Sequence, residues 1–252
     1  MEPPAVWEQR FEVRAYEVDP RGHLATPTLC DWLQEAAGQH ARALGWAIEE
    51  LEESGLTWVL SRLHLRLQAW PMWGSVVRLL TWPVGAHRLY AVRDFRALDE
   101  SGGEVVLATS GWLLVKLASR RPIRPPAEIE TLAQAAPGRA LVDDFSRLPT
   151  AESGEPVAVF TARHSDLDVN HHVNNVALVR MVLDAVPAST LTSCVPAELE
   201  VEFRAEVSLG DIIEARVARS GDTDGRYVHS LVRTSDRQEV VRARSRWAAE
   251  KE

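Results

Sequence analysis

Cysteine is scarce in this chain: Cys30 and Cys194 are the only two among 252 residues. That excludes a disulfide scaffold and a cysteine-rich zinc site, and it makes a reducing compartment the expectation. Long apolar runs are missing as well, since none approaches the ~20 residues of a membrane-spanning helix. The opening Met1-Glu-Pro-Pro-Ala-Val-Trp-Glu-Gln-Arg-Phe11 has neither a basic stretch followed by an apolar one nor a Ser- and Arg-rich import leader. A cytoplasmic location is therefore expected, with no membrane partner. Positive charge is in deficit: 28 Lys and Arg face 36 Asp and Glu, for a net charge of −8. That balance argues against nucleic acid and against anionic membrane as partners. The remaining composition, 46% hydrophobic and 25% charged, is ordinary for globular structure with a sizeable core.

Periodicity and breaks place the elements. Trp7–Val18 alternates as a first strand, broken by Asp19-Pro20-Arg21-Gly22. A long helix follows over Pro27–Gly45, with Thr26 as cap and Pro27 at its first position, then a short one around Ala47–Ser54. Strands are expected over Trp58–Ala69, Val76–Val84, Leu89–Leu98 and Val105–Leu117. Residues 121–153 are mixed, with several Pro and Gly, and read as a linker. Beyond it lie a strand at Pro156–Thr161, a helix through Val176–Val186, and strands at Pro196–Val207, Asp211–Ser220, Tyr227–Thr234 and Glu239–Ala248.

The two halves share one order: strand, polar break, long helix, four strands. The match reaches single residues. Asp19-(x3)-His23-Leu24 answers to Asp168-(x3)-His172-Val173, Gly74 to Gly210 and Tyr90 to Tyr227. Glu104-(x3)-Ala108-x-Ser110-x-Trp112 answers to Glu239-(x3)-Ala243-x-Ser245-x-Trp247. Several matches in register define a duplicated α+β unit, in which an antiparallel sheet packs on a long central helix. The expected division is 1–120, linker 121–153, and 154–252.

The copies differ where chemistry would sit. Arg163-His-Ser-Asp-Leu-Asp-Val-Asn-His-His-Val-Asn-Asn175 crowds carboxylates, amides and imidazoles before an apolar helix, for which Asn174 and Asn175 are both good cap types. The first copy has Arg21 in place of Asn170, Ala25-Thr26 in place of Asn174-Asn175, and Trp70 in place of Glu206. A capped core helix with solvated polar neighbours would give no reason to keep the cluster in one copy only. Spacing by two would turn Asp168, Asn170 and His172 to one side of an extended segment. With Glu206 opposite, and N–H groups of Val173, Asn174 and Asn175 at the helix start, such a set can activate water and hold a developing oxyanion. That suits hydrolysis of an acyl derivative. Neither cysteine lies in the cluster, Ser165 lacks a nucleophile-elbow pattern, and His164, His171 and His172 match no usual zinc spacing. No metal and no cofactor is expected. The nine Trp are expected mostly in the core or lining a tunnel, with Trp58 and Trp70 as candidate substrate contacts.

These residues carry a family resemblance. Ser165-Asp-Leu-Asp-Val-Asn-His-His-Val-Asn-Asn175 is similar to the signature of acyl-acyl-carrier-protein thioesterases, as are Leu56-Thr-Trp-Val-Leu-Ser-Arg62, Trp70–Val77, Val92-Arg-Asp94, Ala108–Trp112 and Leu199–Glu206. The resemblance implies a tandem hot-dog fold, with each sheet wrapped around its helix. It implies a catalytic set at Asp168, Asn170, His172 and Glu206, and an acyl carrier protein as the substrate-bearing partner. Acyl-CoA as the thioester, a dehydratase and a non-catalytic acyl-binding module are the competing readings. Val207 stands where plant members often carry Cys, so a thiol mechanism gains no support. The first half is expected to hold the acyl chain and the second to do the chemistry. The oligomeric state is left open, a homodimer included.

Overall fold

The computed structural model describes residues 4–151, 156–221 and 225–249. The chain forms two compact units, Met1–Phe145 and Ser146–Glu252. The first holds β1 (Trp7–Glu12), α1 (Thr26–Ala43), α2 (Ile48–Glu53), β2 (Leu56–Leu67), β3 (Val76–His87), β4 (Tyr90–Leu98), β5 (Glu104–Lys116), β6 (Arg121–Ile123) and α3 (Glu128–Gln134). The second holds β7 (Ala158–Thr161), a 3₁₀ turn (His164–Asp166), α4 (Asn175–Asp184), α5 (Ala188–Ser193), β8 (Cys194–Phe203), β9 (Ile212–Arg219), β10 (Arg226–Arg233) and β11 (Glu239–Ala249).

The duplication is present in the topology. Unit 1 orders its antiparallel strands β1-β3-β4-β5-β2, with β6 added on β5, and unit 2 orders its own β7-β9-β10-β11-β8. The matched Trp, Ser and Gly make matched bonds, whereas Tyr90 and Tyr227 are out of register: Tyr227 pairs with Ser245, but Ser110 pairs with Arg93. The Trp112 indole donates to Ser110 Oγ at 2.8 Å, and Trp247 to Ser245 Oγ at 3.0 Å. Gly74 and Gly210 both take a left-handed φ, of 84° and 83°, at a turn that closes on the first strand of each copy. Their N–H groups reach Val13 O and Ala162 O, each at 2.9 Å. Each unit is a hot-dog fold.

The helices follow from their sequences. In α1 the buried Leu29, Cys30, Leu33, Ala36, Ala37 and His40 form one helical stripe, which packs against β1 and β3. Trp32 stacks on Phe11 with ring centroids 4.7 Å apart. Gly45, at φ 75°, ends the helix, and the bonds Gly45 N–H to Arg42 O and Trp46 N–H to Ala41 O form a Schellman motif. The cap differs from expectation: Ala25 holds the N-cap position without a side-chain bond, and Thr26 is already helical. In α4, Val176, Ala177, Leu178, Val179, Met181, Val182 and Leu183 are all buried, as an all-round apolar helix requires.

Three expectations change. The first strand ends at Glu12 rather than Val18, because Glu17 N–H bonds back to Arg14 O and lifts the chain into a turn; Tyr16 is 77% exposed. The loop expected after Pro187 contains α5. The stretch 121–153, linker-like by composition, carries β6 and α3, and the unit boundary falls at Phe145; residues 152–155, where the expected junction lies, are outside the described residues.

What holds 138–145 is polar, which is why apolar patterning did not reveal it. Trp82 Nε1 donates to Gly138 O at 2.8 Å. Asp94, with no exposed surface, takes Arg139 Nε at 3.0 Å and Ala140 N–H at 2.7 Å on one carboxylate oxygen. His64 Nδ1 lies 2.9 Å from Asp143, and the Phe145 ring sits 5.3 Å from Tyr90 with the Arg62 guanidinium 5.8 Å over it. Residues 138–145 are therefore a strap bound to unit 1.

Removing Arg139 would leave a buried carboxylate without its cation. Arg139→Met is expected to destabilise by about 3 kcal/mol, the scale of breaking a buried pair. Urea unfolding measures it, and a loss below ~1 kcal/mol would mean the strap contributes little to the unit.

Candidate active site

The cluster is built on a five-residue turn. Leu167 and Val173 bridge as antiparallel partners, and between them the chain reverses at Asp168-Val-Asn-His-His172. Asp168 N–H donates to His172 O at 2.8 Å and His171 N–H to Asp168 O at 3.1 Å. The Asp168 carboxylate accepts the N–H of Asn170 at 2.8 Å and of His172 at 3.4 Å through the same oxygen. This is an Asx-type closure, in which a short acidic side chain replaces backbone partners the turn cannot supply. His171 takes φ 61°, the left-handed conformation that the reversal needs. The turn feeds α4 through Asn174, whose Oδ1 accepts Val176 N–H at 2.8 Å as N-cap.

Glu206 comes from the segment after β8, which ends at Phe203 instead of running to Val207. Val207 O accepts Val173 N–H at 2.8 Å and Ser208 bridges to His172, so the two segments lie side by side. His172 Nε2 is then 3.4 Å from Glu206 Oε2, both side chains being partly exposed. A carboxylate and an imidazole at that separation can share a proton and can flank a water.

Unit 1 repeats the frame without the acid. Val18 bridges to Leu24, Asp19 N–H donates to His23 O at 2.7 Å, and Asp19 Oδ1 accepts Arg21 N–H at 2.9 Å and His23 N–H at 3.0 Å. Gly22 fills the left-handed position at φ 82°. Leu24 N–H reaches Pro71 O, and His23 bridges to Met72, as Val173 does to Val207 and His172 to Ser208. Where Glu206 faces His172, Trp70 stacks on His23, with ring centroids 6.1 Å apart. The substitution is chemical, on an unchanged scaffold.

The structure pairs His172 with Glu206 and ties the backbone of Asn170 and His172 to Asp168, and it does so through a turn rather than an extended segment with alternating side chains. Asp168 faces its own backbone and orders the turn. Two of the three expected oxyanion donors are engaged: Val173 N–H by Val207 O, and Asn174 N–H by Asp166 O at 2.8 Å. A helix start that caps itself has few free donors, which leaves Asn175 N–H from the expected three. Trp58 and Trp70 lie in unit 1, where Trp58 Nε1 donates to Trp46 O at 3.2 Å. His164 sits in the 3₁₀ turn and His171 is exposed. Sequence reasoning missed Arg233, whose Nη1 donates to the Glu206 carbonyl at 2.8 Å, and Asp211, whose carboxylate takes Ser208 N–H at 2.9 Å. Nothing in their spacing ties them to the cluster.

Comparison with known proteins places this architecture. Over the whole chain the fold is that of an acyl-ACP thioesterase from Bacteroides thetaiotaomicron, with TM-score 0.88 and 27% identity, covering 97% of this chain and 98% of that one. A 12:0-ACP thioesterase from Umbellularia californica matches with TM-score 0.86 and 26% identity, covering 98% of each chain. The family profiles of the acyl-ACP thioesterase N-terminal and C-terminal domains match residues 4–132 and 151–249. The chain belongs to the acyl-ACP thioesterase family. A palmitoyl-acyl carrier protein thioesterase of Gossypium hirsutum is 29% identical over 96% of this chain, which spans 63% of that relative's length.

His171 tests whether the turn or its side chain matters. A non-glycine residue in the left-handed region carries roughly 1–2 kcal/mol of strain, offset in part by the chain entropy of glycine. His171→Gly, copying Gly22, is expected to gain up to about 1 kcal/mol in denaturant unfolding and to keep its activity. A variant that folds but turns over more than tenfold more slowly would show that the His171 ring takes part.

Proposed function

We propose that this chain hydrolyses fatty acyl thioesters carried on acyl carrier protein, releasing free fatty acid. The observation that carries the reading is the His172–Glu206 pair at 3.4 Å, held on a turn whose twin in unit 1 keeps the histidine and replaces the acid by Trp70. The printed activities of the family relatives supply the substrate class. Free cysteines at 30 and 194 accord with a cytoplasmic, reducing setting.

In the proposed reaction Glu206, paired with His172, takes a proton from a water that Asn170 positions. The water oxygen bonds to the thioester carbonyl carbon, and the carbonyl oxygen gathers negative charge against Asn175 N–H. Collapse breaks the C–S bond, and the carrier thiolate leaves with the proton returned from the pair. Asp168 acts one step back by fixing the backbone on which Asn170 and His172 stand. Removing a general base costs about 10²–10⁴ in rate. Glu206→Gln keeps the shape and removes the base, so kcat should fall by that factor with the circular dichroism spectrum unchanged. Single-turnover hydrolysis in ¹⁸O-labelled water should place label in the first fatty acid released. Unlabelled first-turnover acid would instead indicate a carboxylate nucleophile and an anhydride.

The acyl chain is assigned to unit 1, where Trp58 and Trp70 reside and the acid is absent. Arg62 and His64 of β2 meet the strap, so Leu63 and Leu65 lie on the opposite face of that strand. Leu63→Phe and Leu65→Phe are expected to shift the product profile toward shorter acids. Variants that changed total rate but never the profile would contradict this division of labour.

A further inference from the structure

We infer that Arg233 is a positioning residue for the reaction, fixing the main chain that carries Glu206. The inference rests on the reading of Glu206 as the base. Glu206 lies beyond the last residue of β8, where the strand ladder no longer holds it. Its segment is pinned at three successive residues instead. Arg233 Nη1 donates to the Glu206 carbonyl at 2.8 Å, Val207 O takes Val173 N–H at 2.8 Å, and the Ser208 N–H reaches Asp211 at 2.9 Å. The second of these ties the segment to the His172 turn, and the other two tie it to the end of β10 and the residue before β9.

Arg233 is itself held rigidly. It is the last residue of β10, and its guanidinium directs every N–H to an acceptor. Nε and Nη2 clasp the two oxygens of Asp236 at 3.1 and 2.7 Å, Nη2 also reaches Gln238 Oε1 at 2.8 Å, and Nη1 shares Asp211 at 3.5 Å with the Glu206 carbonyl. Hydrogen bonds from Arg233 hold the Asp236 carboxyl down at about 2, so the clasp stays ionised at any working pH. A lysine has three donors and no fork, and cannot reproduce this set. By strand register the equivalent place in unit 1 is held by Asp99, since His229 pairs with Ala243 as Phe95 does with its counterpart Ala108. Asp99 serves its own turn, accepting the N–H groups of Ser101 at 2.9 Å and Gly103 at 2.8 Å. The copy without the acid has no guanidinium at this place.

Displacing a catalytic group by about 1 Å costs up to ~10²-fold in rate. The test uses the full chain with an acyl-carrier-protein thioester as substrate and compares Arg233→Met, Arg233→Lys, Glu206→Gln and the double variant Arg233→Met with Glu206→Gln. The expected result is a fall in kcat of about 10- to 100-fold for Arg233→Met, with KM within about twofold. Arg233→Lys should recover at most a few-fold, and the double variant should be no slower than Glu206→Gln alone. Circular dichroism and thermal unfolding establish that each variant is folded, and rates are taken per folded molecule. Arg233→Met within twofold of wild type, while Glu206→Gln is impaired, overturns the positioning role and leaves the base assignment standing. So does a double variant whose losses simply multiply. Glu206→Gln with wild-type kcat would overturn the base assignment and this inference with it, and is told apart by the single variant alone. Should Arg233→Met fail to fold, Asp236→Asn, which loosens the same clasp from the surface, is expected to lower kcat several-fold without moving KM; an unchanged kcat there overturns the role.

Discussion

A carboxylate bonded to its own backbone governs the geometry of the second unit. Asp168 accepts the N–H groups of Asn170 and His172, and these bonds decide where an amide and an imidazole stand. A five-residue reversal cannot pair all its N–H groups internally, so an acidic side chain at its first position is a physical requirement of the turn. Once the turn is set, His172 must lie along the segment that follows β8, and any acid at position 206 must face it. The chemistry is a consequence of the closure. Asp19 performs the same closure in unit 1, where the same frame presents a histidine to a tryptophan.

That shared frame explains how much the sequence could tell. Asp19 and Asp168, Gly74 and Gly210, and the two Ser-x-Trp pairs are legible because each repeats a bond that the fold needs twice. The composition of the candidate site was legible for the same reason, since Glu206 and Asn170 stand out as departures between copies. Its geometry was not. Alternating spacing suggested an extended segment, whereas the N–H groups that Asp168 captures bend the chain back on itself. Nor could spacing show that Val173 and Asn174 already donate to Val207 and Asp166. The strap escaped because Pro and Gly in 137–149 mimic a linker, while its anchors, Asp94, Trp82 and His64, lie far away in sequence. Arg233 escaped likewise: it meets Glu206 through a backbone carbonyl, which leaves no trace in residue type.

The two units also divide their polar cores differently. In unit 1 the buried polar groups serve attachment, with Asp94 and His64 holding the strap and Arg93 donating to the buried His40 at 3.0 Å. In unit 2 Glu239 gathers Thr150, Ser230 and Arg242, fixing the chain entry to that unit beside β10 and β11. Buried hydrogen-bond networks of this kind rigidify what they connect. The segment bearing Glu206 starts at the edge of this second network, where Arg204 reaches Glu202 and Glu239.

Carrying both copies on one polypeptide has a consequence for inheritance. In a symmetric homodimer of single hot-dog chains, every substitution appears at both sites at once, so a change that helps one function is imposed on the other. Here a codon change at 70 leaves 206 untouched, and one at 22 leaves 171 untouched. The turn in unit 1 can thus keep the Asp19 closure its backbone needs while position 70 carries a tryptophan in place of the acid.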